Sequence, residues 1–279
     1  MAKKKKKNRA LPQSVGINIP GVETHAHLDL EDFSEDLPEI MQRAKESGVG
    51  RIGNVFLGPQ AYHQNKGLFA DYPEVFFLLG VHPNDSGEFV EEDIESMRAA
   101  FKADPRLKAV GEIGLDFYWD SVPYDVQEDV FRKQLVLAEE LGVPVAIHSR
   151  DAHERTLEIL EESGWSGKPL LWHCFGGDTE TAKRIIDHGW YISIPGPVTY
   201  KKNEVAQEAV KSIPLDRMVL ETDCPFLTPE PWRGKRNEPA FVVFTAAKVA
   251  ELKGLEVNEL WKVCSDNAHR FFNLRDCSD

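Results

Sequence analysis

Residues 109–148, AVGEIGLDFYWDSVPYDVQEDVFRKQLVLAEELGVPVAIH, hold one complete strand–helix–strand unit. The run Ala109-Val110-Gly111-Glu112-Ile113-Gly114-Leu115 is apolar except for a single carboxylate and predicts a strand over 109–115. Beyond it, Val126, Val130, Phe131, Leu135, Ala138 and Leu141 recur at helical steps and make one apolar stripe, and Leu141-Gly142 supplies the stop. A second apolar run predicts a strand over 143–148. Two strands joined through an amphipathic helix are read as parallel neighbours. The same alternation continues outward at a spacing of roughly 30 residues, with strands predicted over 22–28, 51–57, 75–81, 170–173, 190–194 and 218–222. Eight repeats in 279 residues favour an α/β fold of one domain, a closed (β/α)8 TIM barrel, ahead of a doubly wound open sheet. No long linker or composition shift divides residues 16–279, and residues 240–272 read as the last barrel helix followed by an extra capping helix.

Composition narrows the class further. Hydrophobic residues make up 42% and charged residues 28%, enough apolar material for a large core and too much for disorder. The longest apolar runs, such as 75–81, fall far short of the roughly 18 residues that a membrane span requires. No apolar segment follows the basic start as it would in a signal peptide, so a cytoplasmic protein is expected. The four cysteines are scattered and form no CxxC pair, which suits a reducing compartment. Lys and Arg number 33 against 46 Asp and Glu, a net charge of −13. Six of those bases, Lys3 to Lys7 and Arg9, lie within an acid-free start, so the body that follows carries −19. Residues 1–15 are expected to be a basic disordered tail, either merely solubilising or used for nuclear targeting or nucleic-acid tethering. The acidic body has no general basic face for a polyanion, so an anionic substrate needs metal ions or a local basic loop.

A barrel presents its chemistry where its strands end, and these strands end in polar residues. Strand one carries His25 and His27, strand three leads to His82, strand four holds Glu112, strand five ends at His148, strand six at His173 and strand eight leads to Asp223. Neutral imidazoles and carboxylates are the ligand set of divalent transition metals. His25 and His27, two apart on a strand, share a face and can bind one ion; Glu23 has the same parity and is expected beneath them, orienting an imidazole N–H. Glu112, between two glycines, needs compensation for its buried charge, whether from flanking cations, a turn or an arginine. Singly, His148 and His173 read as hydrogen-bonded core histidines and Asp223 as a loop aspartate; together, one fold brings them to one rim. Arg150 and the loop Trp232-Arg233-Gly234-Lys235-Arg236-Asn237 are candidate phosphate contacts, and His82 is read as a substrate contact. Cys174 and Cys224 are expected on the opposite strand face if alternation persists.

In order, Thr24-His25-Ala26-His27-Leu28-Asp29, Gly80-Val81-His82-Pro83, Gly111-Glu112-Ile113-Gly114-Leu115-Asp116, Ile147-His148-Ser149-Arg150, His173-Cys174-Phe175, Glu221-Thr222-Asp223-Cys224-Pro225 and Arg236-Asn237-Glu238-Pro239 resemble the TatD-type metal-dependent deoxyribonucleases, a branch of the amidohydrolase-like TIM barrels, over about residues 20–273. The resemblance implies a dinuclear site in which His25, His27 and Asp223 hold one ion, His148 and His173 the other, and Glu112 bridges them. This chain has Glu23 where the family more often has Asp, Asn84 where it often has His, and Gly176 where Ser is common. The family also includes nucleic-acid hydrolases of broader taste and D-aminoacyl-tRNA deacylases.

The function expected is a deoxyribonuclease that hydrolyses phosphodiester bonds, a 3′–5′ exonuclease on single-stranded or frayed DNA ends. Two ions about 4 Å apart would lower the pKa of a shared water and neutralise phosphate oxygens. Asp223, with Glu112, carries the catalytic role by accepting the water's proton, while His82, Arg150 and Arg236 hold the substrate. Imidazole ligands favour Zn²⁺, Mn²⁺ or Co²⁺, with Mg²⁺ able to serve in weak sites. The alternatives are an ester or amide hydrolase such as a D-aminoacyl-tRNA deacylase, and a non-catalytic metal-binding scaffold. No oligomer is predicted.

Overall fold

The computed structural model describes residues 9–274. Eight parallel strands lie side by side in chain order: β1 Gly21–Ala26, β2 Val49–Leu57, β3 Val75–Gly80, β4 Leu107–Asp116, β5 Val145–Arg150, β6 Leu170–Trp172, β7 Tyr191–Ile194 and β8 Met218–Leu220. Between them run α1 Leu37–Glu46, α2 Pro59–Asn65, α3 Glu91–Ala103, α4 Tyr124–Leu141, α5 His153–Glu162, α6 Thr179–Asp187 and α7 Glu204–Ser212, and α8 Val242–Lys253 and α9 Val257–Phe271 complete the chain. This is the (β/α)8 barrel.

The seam between β1 and β8 is narrow. It consists of an Ala26–Cys224 bridge, amide bonds from His27 to the Cys224 carbonyl and from Asp223 to the His25 carbonyl, each 2.9 Å, and the Thr24 hydroxyl donating to the Leu220 carbonyl. Glu23 bolts it: one carboxylate oxygen accepts from the amides of His25 (3.1 Å) and Thr222 (2.8 Å) and from the Thr222 hydroxyl (3.1 Å).

Strand alternation sorts the core into two layers. On β3, Val75, Phe77 and Leu79 pack outward against the helices, whereas Phe76 and Leu78 join Val22, Ala109, Ala146, Leu171 and Val219 inside the barrel. The floor of that inner layer is closed by Ala268, Phe271 and Phe272 from the end of α9, so the extra helix is a plug. Gly21 admits it, because a Cβ there would lie 2.3 Å from the Trp261 ring and from Ser265 Oγ. The expected strand start at 143 is displaced to Val145 for a local reason. Gly142, at φ 65, and Val143 both return their amides to the end of α4, an αL stop that holds Val143 to the helix.

Residues 9–15, expected to belong to a disordered tail, are packed against the body. Arg9 Nε donates to the Pro231 carbonyl (3.1 Å) and its guanidinium lies over Trp232, whose indole donates to the Ala10 carbonyl (2.8 Å). Pro12–Val15 forms a 3-10 turn that buries Pro12. Aromatic and backbone partners of Arg9, Ala10 and Pro12 hold this segment; residues 1–8, including the lysine run, lie outside the described residues. Among the described residues no helix is long and apolar enough to cross a membrane.

Trp261 is fully buried and its indole donates to the Ile19 carbonyl at 3.1 Å. Trp261→Ala is expected to cost about 3–5 kcal/mol, seen as a lower urea midpoint; an unchanged midpoint would refute the plug's role in stability.

Candidate metal centre at the barrel mouth

Two strands bulge where the chemistry sits. On β1, three steps from Glu23 to Ala26 match two steps on β2, from Ile52 to Asn54; on β4, three steps from Val110 to Ile113 match two on β5, from Val145 to Ile147. A bulge re-aims side chains. The first separates His25 and His27 from the regular alternation that places Val22 and Thr24 inside, and the two imidazoles then meet edge to face at 5.1 Å. This also accounts for Glu23, expected to orient an imidazole but hydrogen-bonded instead to the His25 amide and to the amide and hydroxyl of Thr222, just past β8. Its burial pushes its pKa up to about 8. The second bulge delivers Glu112. Gly114, at φ 143, leaves room that a Cβ would close to 2.0 Å from the His148 carbonyl, so β5 can approach.

Glu112 is buried and five imidazoles surround it. One carboxylate oxygen lies 2.6 Å from His148 Nδ1, 3.3 Å from His173 Nε2 and 3.7 Å from His82 Nε2, and the other lies 3.3 Å from His25 Nε2 and 3.9 Å from His27 Nε2. Asp223 Oδ1 stands 3.4 Å from His27 Nε2 and 3.9 Å from His25 Nε2. Ligand atoms of His25, His27 and Asp223 lie within 4.8 Å of one another, as do those of His82, Glu112 and His148.

Four of the five rings are aimed by a partner. His27 Nδ1 donates to the Val55 carbonyl (3.3 Å) and His173 Nδ1 to Glu221 (3.0 Å), leaving both Nε2 atoms toward the centre. His148 Nε2 meets Asp116 at 3.0 Å, and His82 Nδ1 accepts the Asn84 amide at 3.2 Å. His25 differs: both ring nitrogens are buried without a hydrogen bond, Nε2 standing 3.3 Å from Glu112 and Nδ1 facing no partner. Burial, then the neighbouring His173, lowers its pKa to about 3, which keeps the ring neutral and its lone pair available. A buried, partnerless imidazole amid carboxylates is costly to leave empty and well suited to a divalent ion. Burial opposes ionisation of Glu112, but His173, His148 and His25 overcome it and hold the carboxyl well below its usual range. Burial likewise disfavours charge on His173, yet Glu221 and Glu112 raise it well above an ordinary histidine.

The structure therefore gathers His25, His27, His82, Glu112, His148, His173 and Asp223 in one place. It brings Arg150 to the rim, stacked 3.7 Å over the Tyr118 ring. Arg236 goes elsewhere: its guanidinium pairs with Asp36 at 2.6 Å and lies over Phe33, in a loop rich in acids. Cys174, expected on the far face, lies with His173 and Asp223 because β6 ends at Trp172 and Cys174 turns left-handed at φ 49. Sequence reading assigned no role to Asp116 and Glu221, the carboxylates that steady His148 and His173. Their signal was position, since Asp116 ends a strand and Glu221 precedes Asp223 by two.

Imidazoles and carboxylates converging at the mouth of a parallel barrel are the equipment of a metal-dependent hydrolase, and comparison with known proteins bears this class out. The chain belongs to the TatD related DNase family, whose profile matches residues 22–273. It is 40% identical over 252 residues to the metal-dependent hydrolase YabD of Bacillus subtilis, covering 90% of this chain and 98% of the relative. It is also 32% identical to the 3′-5′ ssDNA/RNA exonuclease TatD of Erwinia tasmaniensis, over 93% of this chain and 99% of that one. Among solved structures, the TatD homologue YJJV of Escherichia coli K12 superposes with a TM-score of 0.86 at 28% identity, covering 91% of this chain and 98% of the other.

With its pKa lowered to about 3, His25 in the chain alone is neutral from about pH 5 upward. Its imidazole nitrogen resonances are expected to hold steady from about pH 5 to 8, where an ordinary histidine titrates. A midpoint near 6.5 in an NMR titration would contradict that environment.

Proposed function

We propose that the chain hydrolyses phosphodiester bonds of DNA, removing nucleotides from the 3′ ends of single or frayed strands, with two divalent ions in the mouth. The observation that carries the reading is the buried, unpartnered His25 beside His27 and Asp223, together with a second donor group around Glu112. His25, His27 and Asp223 would hold one ion, His148 and His173 the other, with Glu112 between them. The name of the Erwinia relative supports the strand preference. Zn²⁺, Mn²⁺ or Co²⁺ suits the imidazoles, and Mg²⁺ a weaker site.

When bound, such ions supply a water of lowered pKa and neutralise charge on the phosphate. The remaining work falls to the chain. Glu112 stays ionised between the two donor groups because the imidazoles hold its carboxyl low. Glu221 and Asp116 keep His173 and His148 in fixed orientations, so the donors need no rearrangement on binding. Asp223, only 14% exposed and next to His27, accepts the attacking water's proton. His82 and Arg150 face the phosphate from the β3 and β5 side. In a body as acidic as this one, the ions rather than a basic surface overcome substrate repulsion. The free thiols of Cys174, Cys224 and Cys264 suit a reducing, cytoplasmic setting.

His148→Ala and Asp223→Ala are each expected to lower hydrolysis of a 3′-labelled single strand by about 10²- to 10⁴-fold, with Asp223→Ala barely moving the melting temperature and His148→Ala lowering it, because Glu112 loses its nearest partner. Parent-like activity in both variants would remove the site assignment, and faster turnover of D-aminoacyl-tRNA than of DNA in a side-by-side assay would replace the substrate. Glu221→Ala is expected to weaken metal affinity about 10- to 100-fold in a chelator competition; unchanged affinity would show that His173 needs no such support.

A further inference from the structure

Among the described residues, three aromatic side chains are more than half exposed, and all three stand at the mouth. Tyr118 and Trp119, each 51% exposed, follow the end of β4; Phe226, at 53%, follows Asp223 beyond β8. In an eight-stranded barrel the strand four places along lies across the opening, and β4 and β8 are four apart. The rings therefore form two opposed walls with the imidazole cluster between them. Isolated exposed apolar residues mean little; a set confined to both sides of one site calls for a reason.

Neither wall is a loose loop tip. Asp116 Oδ1 accepts from the amides of Tyr118 (3.0 Å) and Trp119 (3.2 Å), while its Oδ2 meets His148 at 3.0 Å, so one carboxylate anchors wall and site together. Phe117 donates its amide to the Arg150 carbonyl at 2.9 Å and stacks on Tyr124 at 4.0 Å. The Tyr118 and Trp119 rings meet at 90° with 4.8 Å between centroids. Across the mouth, Phe226 donates its amide to the Asp223 carbonyl at 2.9 Å, and its ring stands 6.3 Å from that of His27.

We propose that these walls are nucleobase-stacking subsites. An unpaired strand lies across the mouth with one base against the Tyr118–Trp119 wall, stacked on one of its two rings, the scissile phosphate over the imidazole cluster, and the next base against Phe226. The inference rests on the phosphodiester reading above and adds how the strand is held. Planar rings on both sides of the donor cluster, with the Arg150 guanidinium beside one of them, match a nucleotide in both apolar and charged character. A duplex keeps its base faces stacked and cannot offer them, so the walls select single strands. The net charge of −13 strengthens the case: beyond the ions and Arg150 at the mouth, a body this acidic offers the strand little phosphate attraction, so base faces add the affinity that a basic surface would otherwise give. A second copy of this chain would need a continuous apolar patch, and the polar cluster interrupts this one.

The test uses the full chain and a labelled oligothymidylate with cleavage-resistant phosphorothioate linkages, followed by fluorescence anisotropy, beside an abasic strand with the same number of phosphates. Tyr118→Ala with Trp119→Ala, and separately Phe226→Ala, are expected to weaken the base-bearing strand by about 5- to 150-fold and to leave the abasic strand unchanged. Tyr118→Phe should bind as the parent does. On a cleavable strand the same losses should fall on KM, with kcat within about twofold. Because the rings are exposed, melting temperatures should match the parent's. Equal losses on both strands, or none, would overturn the proposal, as would parent self-association that these substitutions abolish. If the parent cleaves no strand at all, the phosphodiester reading fails while the anisotropy comparison still decides whether the walls hold bases.

Discussion

The carboxylate of Glu112 is removed from water, and five imidazoles lie within 3.9 Å of its two oxygens; His173 and His148 do most to keep it ionised. Isolating such a charge in a protein interior costs several kcal/mol, and positive charge at close range is what offsets it. In the chain alone that charge comes from protons, which explains why His148 and His173 are raised above ordinary histidines against the opposing effect of burial. Divalent cations at the same donors would take over the role and displace those protons. Most other features of the mouth serve this balance: Glu221 and Asp116 fix two rings, the Val55 carbonyl fixes a third, and the glycines on either side of Glu112 let neighbouring backbones close in.

Irregular backbone is concentrated at the same end. β1 and β4 each carry an extra residue beside their site side chains, and Asp151, Cys174 and Asp223, directly beyond β5, β6 and β8, adopt positive φ. Each such residue costs on the order of 1 kcal/mol or more. The opposite end is filled, with Phe271 and Phe272 seated under the inner layer. Stability is drawn from the floor and the strand–helix layer, and the mouth spends it on geometry.

How far the chain could be read in advance follows from this division. Strand and helix periodicity comes from burial, so all eight strands and the final pair of helices were visible in the apolar pattern. The convergence of His25, His27, Glu112, His148, His173 and Asp223 was also legible, because strand ends of a barrel share one rim. What escaped were the effects of local backbone departures. Glu23 was expected under an imidazole and Cys174 on the far face, and both errors come from carrying strict alternation through a bulge or past a strand's last residue. Arg236 looked like a free phosphate contact because sequence does not reveal that Asp36 sits opposite it. Asp116 and Glu221 are ordinary acids until the rings they support are in place.

The narrow seam has a consequence for how the molecule comes into being. Synthesis delivers His25 and His27 early, Glu112 near the middle, and Asp223 only after four fifths of the polypeptide has been made. The Glu23 carboxylate that fastens the seam waits just as long for Thr222. A ribosome-bound fragment can pair its first strands yet cannot assemble the full set of donors, so ring closure and the finished centre arrive as one event.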